Sequence, residues 1–176
     1  RDTAMATGKR LAELAERDPL TGLLNRRGFL ARCAKDFGGR TTMPFGLILI
    51  DVDRFKAVND EFGHQTGDEA LILLADKLKT FEAAHDCHAG RLGGEEFLVL
   101  TRGLTETQVS DAAEALRESL AAIGKQFADH DGLNVSASIG VAAWRFSEPL
   151  DDALLRSDEA CYAAKDSGRN QVRRAV

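Results

Sequence analysis

A run of apolar residues closed by acids, Phe45-Gly-Leu-Ile-Leu-Ile-Asp-Val-Asp53, constrains the fold of this chain more than any other segment. It lacks the polar and apolar alternation of a strand with one wet face. It therefore reads as a central strand covered on both sides. The chain has the material for such covering layers: 44% of its 176 residues are hydrophobic. That is enough for one packed domain without disulfides or a structural metal.

The flanking periodicities supply the layers. A helix is expected over 25–37, with Phe29, Leu30, Cys33 and Phe37 inward and Gly38-Gly39 at its end. A second is expected over 68–81, where Leu71, Leu74, Leu78 and Phe81 recur at helical spacing. Residues 87–92 and 95–101 read as two strands joined by Gly93-Gly94, a pair that tolerates the positive φ angles of a tight hairpin. An amphipathic helix over 105–123, a strand over 133–144, a helix over 150–167 ended by Gly168 and a short strand over 171–173 complete the order. This order predicts an α+β fold with a central, mostly antiparallel sheet flanked by helices, of ferredoxin-like or polymerase-palm type. Periodicity alone leaves the strand order open.

Ahead of this core, Ala4, Thr7, Leu11 and Leu14 follow a seven-residue spacing with charged residues between them. Residues 1–17 read either as a frayed amphipathic helix or as the end of a coiled coil that joins an upstream regulatory domain. Asp18-Pro19 stops that helix, and a catalytic domain is expected over 18–176. The chain begins Arg1-Asp2-Thr3, without an initiator methionine or an apolar signal region, and no stretch is long and apolar enough to span a bilayer. We expect a piece of a longer, cytoplasmic protein, with an upstream membrane tether left open. Three dispersed cysteines, Cys33, Cys87 and Cys161, suggest reduced thiols.

A net charge of -5 argues against a nucleic-acid partner, so any phosphate ligand must be met by local cations. Asp51 and Asp53 lie two apart on the predicted strand and so share a face. Their repulsion would be relieved by a divalent cation, and oxygen ligands suit magnesium; two solvated strand-end acids are the plainer reading. A second acidic pair, Glu95-Glu96, follows the glycines of the hairpin, where missing side chains let a ligand approach the backbone. His85-Asp86-Cys87-His88 reads as a packed strand thiol flanked by exposed histidines, in preference to a transition-metal cluster.

These residues resemble a known family. Arg91-Leu-Gly-Gly-Glu-Glu-Phe97 is similar to the RxGG(D/E)EF motif of GGDEF-domain diguanylate cyclases, in its GGEEF form. Asp18-Pro-Leu-Thr-Gly-Leu-Leu-Asn-Arg26 resembles their DxLTGLxNR segment. Asp51-Val-Asp-Arg-Phe-Lys56, with Asn59-Asp60, Gly63-His64 and Gly67-Asp68, resembles their DxDxFKxxNDxxGHxxGD block. Ser138-Ile-Gly140-Val-Ala142 and Ala164-Lys165-Asp-Ser-Gly168-Arg169-Asn170 resemble two later motifs, and all five occur in the expected order.

The resemblance implies condensation of two GTP molecules into cyclic di-GMP with release of two pyrophosphates. It places metal on Asp51, the Val52 carbonyl and Glu95, with magnesium expected and manganese a second candidate. It makes Glu95 the proton acceptor and sets Lys56, Lys165 and Arg169 on the phosphates. It gives guanine recognition to Asn59 and Asp68 with help from His64, although Asp68 can also be read as the N-cap of the following helix. It lays the nucleotide against Gly93 and Gly94, and it leaves Phe97 in the core. Each reaction needs GTP from two domains, so a homodimer is implied, controlled by an upstream regulatory domain. One departure stands out: the RxxD of the family's product-inhibition site is replaced at its two key positions by Ala84 and Cys87, so feedback through that site is expected to be absent. The competing reading is a non-catalytic GTP-binding module that regulates or contacts a partner; the intact acids, lysines, Asn59 and Asp68 speak against it.

Overall fold

The computed structural model of the chain describes residues 15–37, 43–127, 133–145 and 148–176. The expected helix over 1–17 and the Gly38-Gly39 stop lie largely or wholly outside the described residues.

The apolar run forms β2 (Phe45–Val52), and all eight of its residues are buried. Its side chains alternate between two cores, as strand geometry requires. Ile48 and Ile50 enter one cluster, with Leu71, Leu74, Leu78, Phe97, Val109 and Leu116. Leu47 and Leu49 enter the other, with Phe29, Cys33, Leu98, Leu100, Ala153 and Cys161. The first cluster is closed by α3 (His64–Ala84) and α4 (Glu106–Ala121), and the second by α1 (Arg26–Phe37) and α5 (Leu150–Asp166). Helices therefore cover both faces of the sheet.

Six strands are ordered β1-β3-β4-β2-β5-β6, where β1 is Leu24–Asn25, β3 Cys87–Gly93, β4 Glu96–Arg102, β5 Ala137–Trp144 and β6 Val172–Arg174. β2 pairs antiparallel with β4 and β5, and β3 with β4. Only the edge strands β1 and β6 pair parallel with their neighbours. The expected α+β architecture with a mostly antiparallel sheet is what forms.

Several boundaries differ from the sequence reading. Helix α2 (Phe55–Phe62) was not anticipated, and α3 begins at His64, four residues before the expected start. Gly63 separates the two helices with φ 89° and ψ 157°, a conformation open to glycine. Asp68 lies in the second turn of α3 and cannot cap it, so that alternative is corrected. Residues 133–136 run into the sheet without joining the β5 ladder. Helix α4 begins with a reciprocal capping box formed by Thr105 and Gln108. Such a cap contributes about 1 kcal/mol. Among the described residues, no helix is long and apolar enough to cross a membrane.

Candidate active site

Two chain reversals meet at the end of β2. The first is the β3–β4 hairpin, whose register pairs Gly93 with Glu96. Gly94 and Glu95 therefore form its tip, one residue later than the Gly93-Gly94 expected from sequence, and Gly94 adopts φ 49°. The Glu95 carbonyl accepts the Val52 amide at 3.2 Å, which pins the tip to the strand end. Asp51 is the register partner of Glu96 on one side and of Ser138 on the other.

A clamp fixes the hairpin from behind. Arg91 donates through Nε and Nη2 to the Gly94 carbonyl at 2.9 and 2.7 Å. Its Nη1 reaches Asp18 at 3.1 Å. Asp18 also accepts the Thr21 amide and hydroxyl at 2.8 and 2.7 Å. Burial pulls the Asp18 carboxyl upward, but the Thr21 hydrogen bonds and Arg91 together hold it below the usual carboxylate range. Sequence reasoning treated Asp18 only as a helix stop and a motif letter; its contact with a residue 73 positions away has no local signature.

The second reversal follows α5. Lys165, in its last turn, places Nζ 2.7 Å from Asp51 Oδ2. Burial raises the Asp51 carboxyl above its ordinary value, and Glu95 and Glu96 push it further, while Lys165 opposes the rise. Burial works against the charge on Lys165, yet the hydrogen bond and attraction of Asp51 leave its amine raised and charged. The strand end is thus an acidic centre that draws positive charge.

Asp53 does not join it. Its Oδ1 accepts the Ser138 hydroxyl at 2.6 Å, and its Oδ2 accepts the Ser136 hydroxyl at 2.7 Å and the Asn170 amide at 3.0 Å. The plainer reading of two solvated strand-end acids is corrected: both carboxylates are buried, β2 ends between them, and each takes different partners.

Beside this centre, Asn59 of α2 packs against α3. A Cβ at Gly67 would stand 1.9 Å from Asn59 Oδ1 and 3.2 Å from Phe55 Cζ, so only glycine admits this approach. Asn59 Oδ1 is buried with no hydrogen-bond partner among the described residues. Lys56, His64, Asp68, Gly93, Gly94 and Arg169 are exposed. The structure thus joins Asp51, Val52, Glu95 and Lys165 directly. Lys56 lies on α2 and His64 and Asp68 on α3, and among the described residues none of them bonds to these acids. Phe97 is fully buried, as expected.

Residues 15–171 match the sequence model of the family described as "Diguanylate cyclase, GGDEF domain". The chain belongs to this family. Two curated relatives of this GGDEF domain are diguanylate cyclase DgcM of Escherichia coli, 39% identical over 93% of this chain and 39% of its own length, and response regulator PleD of Caulobacter vibrioides, 42% identical over 91% and 36%. The GGDEF domain thus spans about two fifths of the length of these relatives. Among solved structures, the coiled coil and GGDEF domain of DgcB from Caulobacter crescentus, in complex with c-di-GMP, superimposes with a TM-score of 0.87 at 29% identity, covering 99% of this chain and 93% of that one. The family acts on GTP and depends on a divalent metal.

Proposed function

We propose that this domain is an active diguanylate cyclase that condenses two GTP molecules into cyclic di-GMP and releases two pyrophosphates. The observation that carries this reading is the convergence of buried Asp51, the Glu95 turn and Lys165 at one strand end.

An acidic centre made only of oxygen donors fits a hard divalent cation, with Asp51, the Val52 carbonyl and Glu95 as its holders and magnesium as the natural choice. Such an ion would lower the pKa of the attacking 3′-hydroxyl and neutralise charge on the phosphorus and the leaving pyrophosphate. The chain's own residues do the rest. The bare backbone at Gly93 and Gly94 lets the nucleotide lie against the hairpin. Glu95, held at the tip by its carbonyl, has its carboxylate both for the ion and for the hydroxyl proton. Lys56, Lys165 and Arg169 supply the positive charge that an acidic domain needs near a triphosphate. Asn59 and Asp68 read guanine through its O6 acceptor and its N1 and N2 donors, and His64 shapes that pocket.

Incubation with GTP and magnesium, followed by chromatography of the products, tests the reading. Cyclic di-GMP is expected. Unchanged GTP from a dimeric sample would mean a binding module, and a mononucleotide product would mean another nucleotidyl cyclase.

Two further outcomes follow from this reading. Gly67→Ala would push the Asn59 amide off its seat and is expected to raise KM for GTP about tenfold, the worth of one hydrogen bond, with kcat nearly unchanged. A steady-state titration in which KM stays at the wild-type value would remove Asn59 from guanine recognition. Product control is the second. Cys87 is buried in β3, and Ala84 lines a hollow of about 380 Å³ whose other walls include Phe81, Leu116, Lys77 and His85. A methyl group and a buried thiol supply neither the guanidinium nor the carboxylate that the RxxD pair would offer the product. Cyclic di-GMP added at saturating GTP is therefore expected to leave the rate unchanged, and a non-competitive fall would overturn this.

We further propose that two copies, brought together by an upstream regulatory segment in the cytoplasm, form the working unit.

A further inference from the structure

Asp53 presents an unresolved question of purpose: a buried carboxylate beside the acidic centre, with all its polar contacts made to protein. Two of those contacts are hydroxyls, of Ser138 in β5 and of Ser136 just before it, and the third is the backbone amide of Asn170. Asn170 closes a turn in which Gly168, Arg169 and Asn170 have φ of 112°, 64° and 45°. Two successive residues with side chains in the left-handed region do not hold that shape unaided; the surroundings must impose it.

The imposing contacts can be named. From inside, Asp53 Oδ2 accepts the Asn170 amide at 3.0 Å. From outside, Arg117 of α4 donates to Asn170 Oδ1 at 2.8 Å, while Glu114 fixes the same guanidinium at 2.6 and 2.9 Å. The Arg169 amide returns to the Ala164 carbonyl at 3.0 Å. Arg54, directly after Asp53, has φ 53°, so every non-glycine residue of positive φ among the described residues adjoins this carboxylate or the turn that it holds.

We infer that Asp53 is a positioning residue: with Arg117 it clamps the 168–170 turn and so aims Arg169 at the triphosphate. The role of Arg169 rests on the function proposed above; the clamp itself does not. Asp53 thus acts on the reaction through Arg169, the neighbour of the amide that it accepts.

The experiment has two arms. The first uses no nucleotide: hydrogen exchange at the Asn170 amide is compared in wild type, Asp53→Ala and Arg117→Ala. Both variants are expected to exchange faster, Asp53→Ala by at least about tenfold, because a protecting bond or its support is gone. Wild-type protection in both would overturn the clamp, whatever the enzyme makes. The second arm measures cyclic di-GMP synthesis in Asp53→Ala, Arg169→Ala and the double variant. If Asp53 works through Arg169, the double variant is no slower than the slower single one. Multiplying losses would overturn the inference, as would recovery of Asp53→Ala by excess magnesium, which would make Asp53 an ion ligand. Arg117→Ala, a substitution on the outer helix, carries the same cycle with Arg169→Ala if Asp53→Ala fails to fold. A wild type that makes no cyclic di-GMP would sink the proposed function and leave the exchange result standing.

Discussion

Replacing Glu95 with glutamine is expected to lower cyclic di-GMP synthesis about a thousandfold, the loss of roughly 4 kcal/mol of transition-state stabilisation. The same variant is expected to melt within about 2 °C of wild type. The two halves of this expectation have different origins. Stability at the tip comes from the Glu95 carbonyl, which accepts the Val52 amide, and from Arg91 on the Gly94 carbonyl. Both are backbone contacts that glutamine keeps. The carboxylate is what changes, and with it both the charge that would draw a cation to Asp51 and the group that would take the 3′-hydroxyl proton in the proposed reaction. Product formation by Glu95→Gln above about a tenth of wild type would end its assignment, because neutral amides supply neither role.

Dilution should have an effect of comparable size. Cyclic di-GMP needs two attacks, each by the hydroxyl of one nucleotide on the α-phosphate of the other. One chain with one acidic centre serves one of them. Below the dimer dissociation constant the concentration of dimer falls with the square of total protein, so a tenfold dilution is expected to cut the rate about a hundredfold. A domain fused to a strong parallel coiled coil should lose this dependence and give a rate linear in enzyme. Linear behaviour of the unfused domain down to the lowest measurable concentration would mean that one chain completes the reaction.

The local features were legible in the chain for reasons that are themselves local. The apolar run of β2 announced a strand buried on both faces, and the leucine spacing of α3 announced which side of that helix is wet. The motifs located Asp51, Glu95 and Lys165 in the same way, as short strings whose chemistry can be named one at a time. Where local signals were weak, the reading slipped. Helix α2 is only eight residues long and begins behind a left-handed Arg54, so nothing in its composition announces it. The missed early turn of α3 contains Gly67, a poor helix former, which is present because Asn59 needs its space.

Residue types and spacing were sufficient to decide that this chain builds a sheet covered by helices and carries acids and cations at defined points along it. Such properties depend on neighbours within a few positions, and they survive whatever the rest of the chain does. Only the folded structure could decide which of those points meet. Lys165 reaches Asp51 because α5 packs across β2 and β5. Arg91 reaches Asp18 because β1 pairs beside β3. Asp51 and Asp53, indistinguishable as letters, part company because β2 ends at Val52 and the next carboxylate falls between the hydroxyls of Ser136 and Ser138. Hydrogen bonds and ion pairs act over about 3 Å, whereas these partners lie up to 117 residues apart in sequence, and only packing of the sheet and its helices brings them within reach.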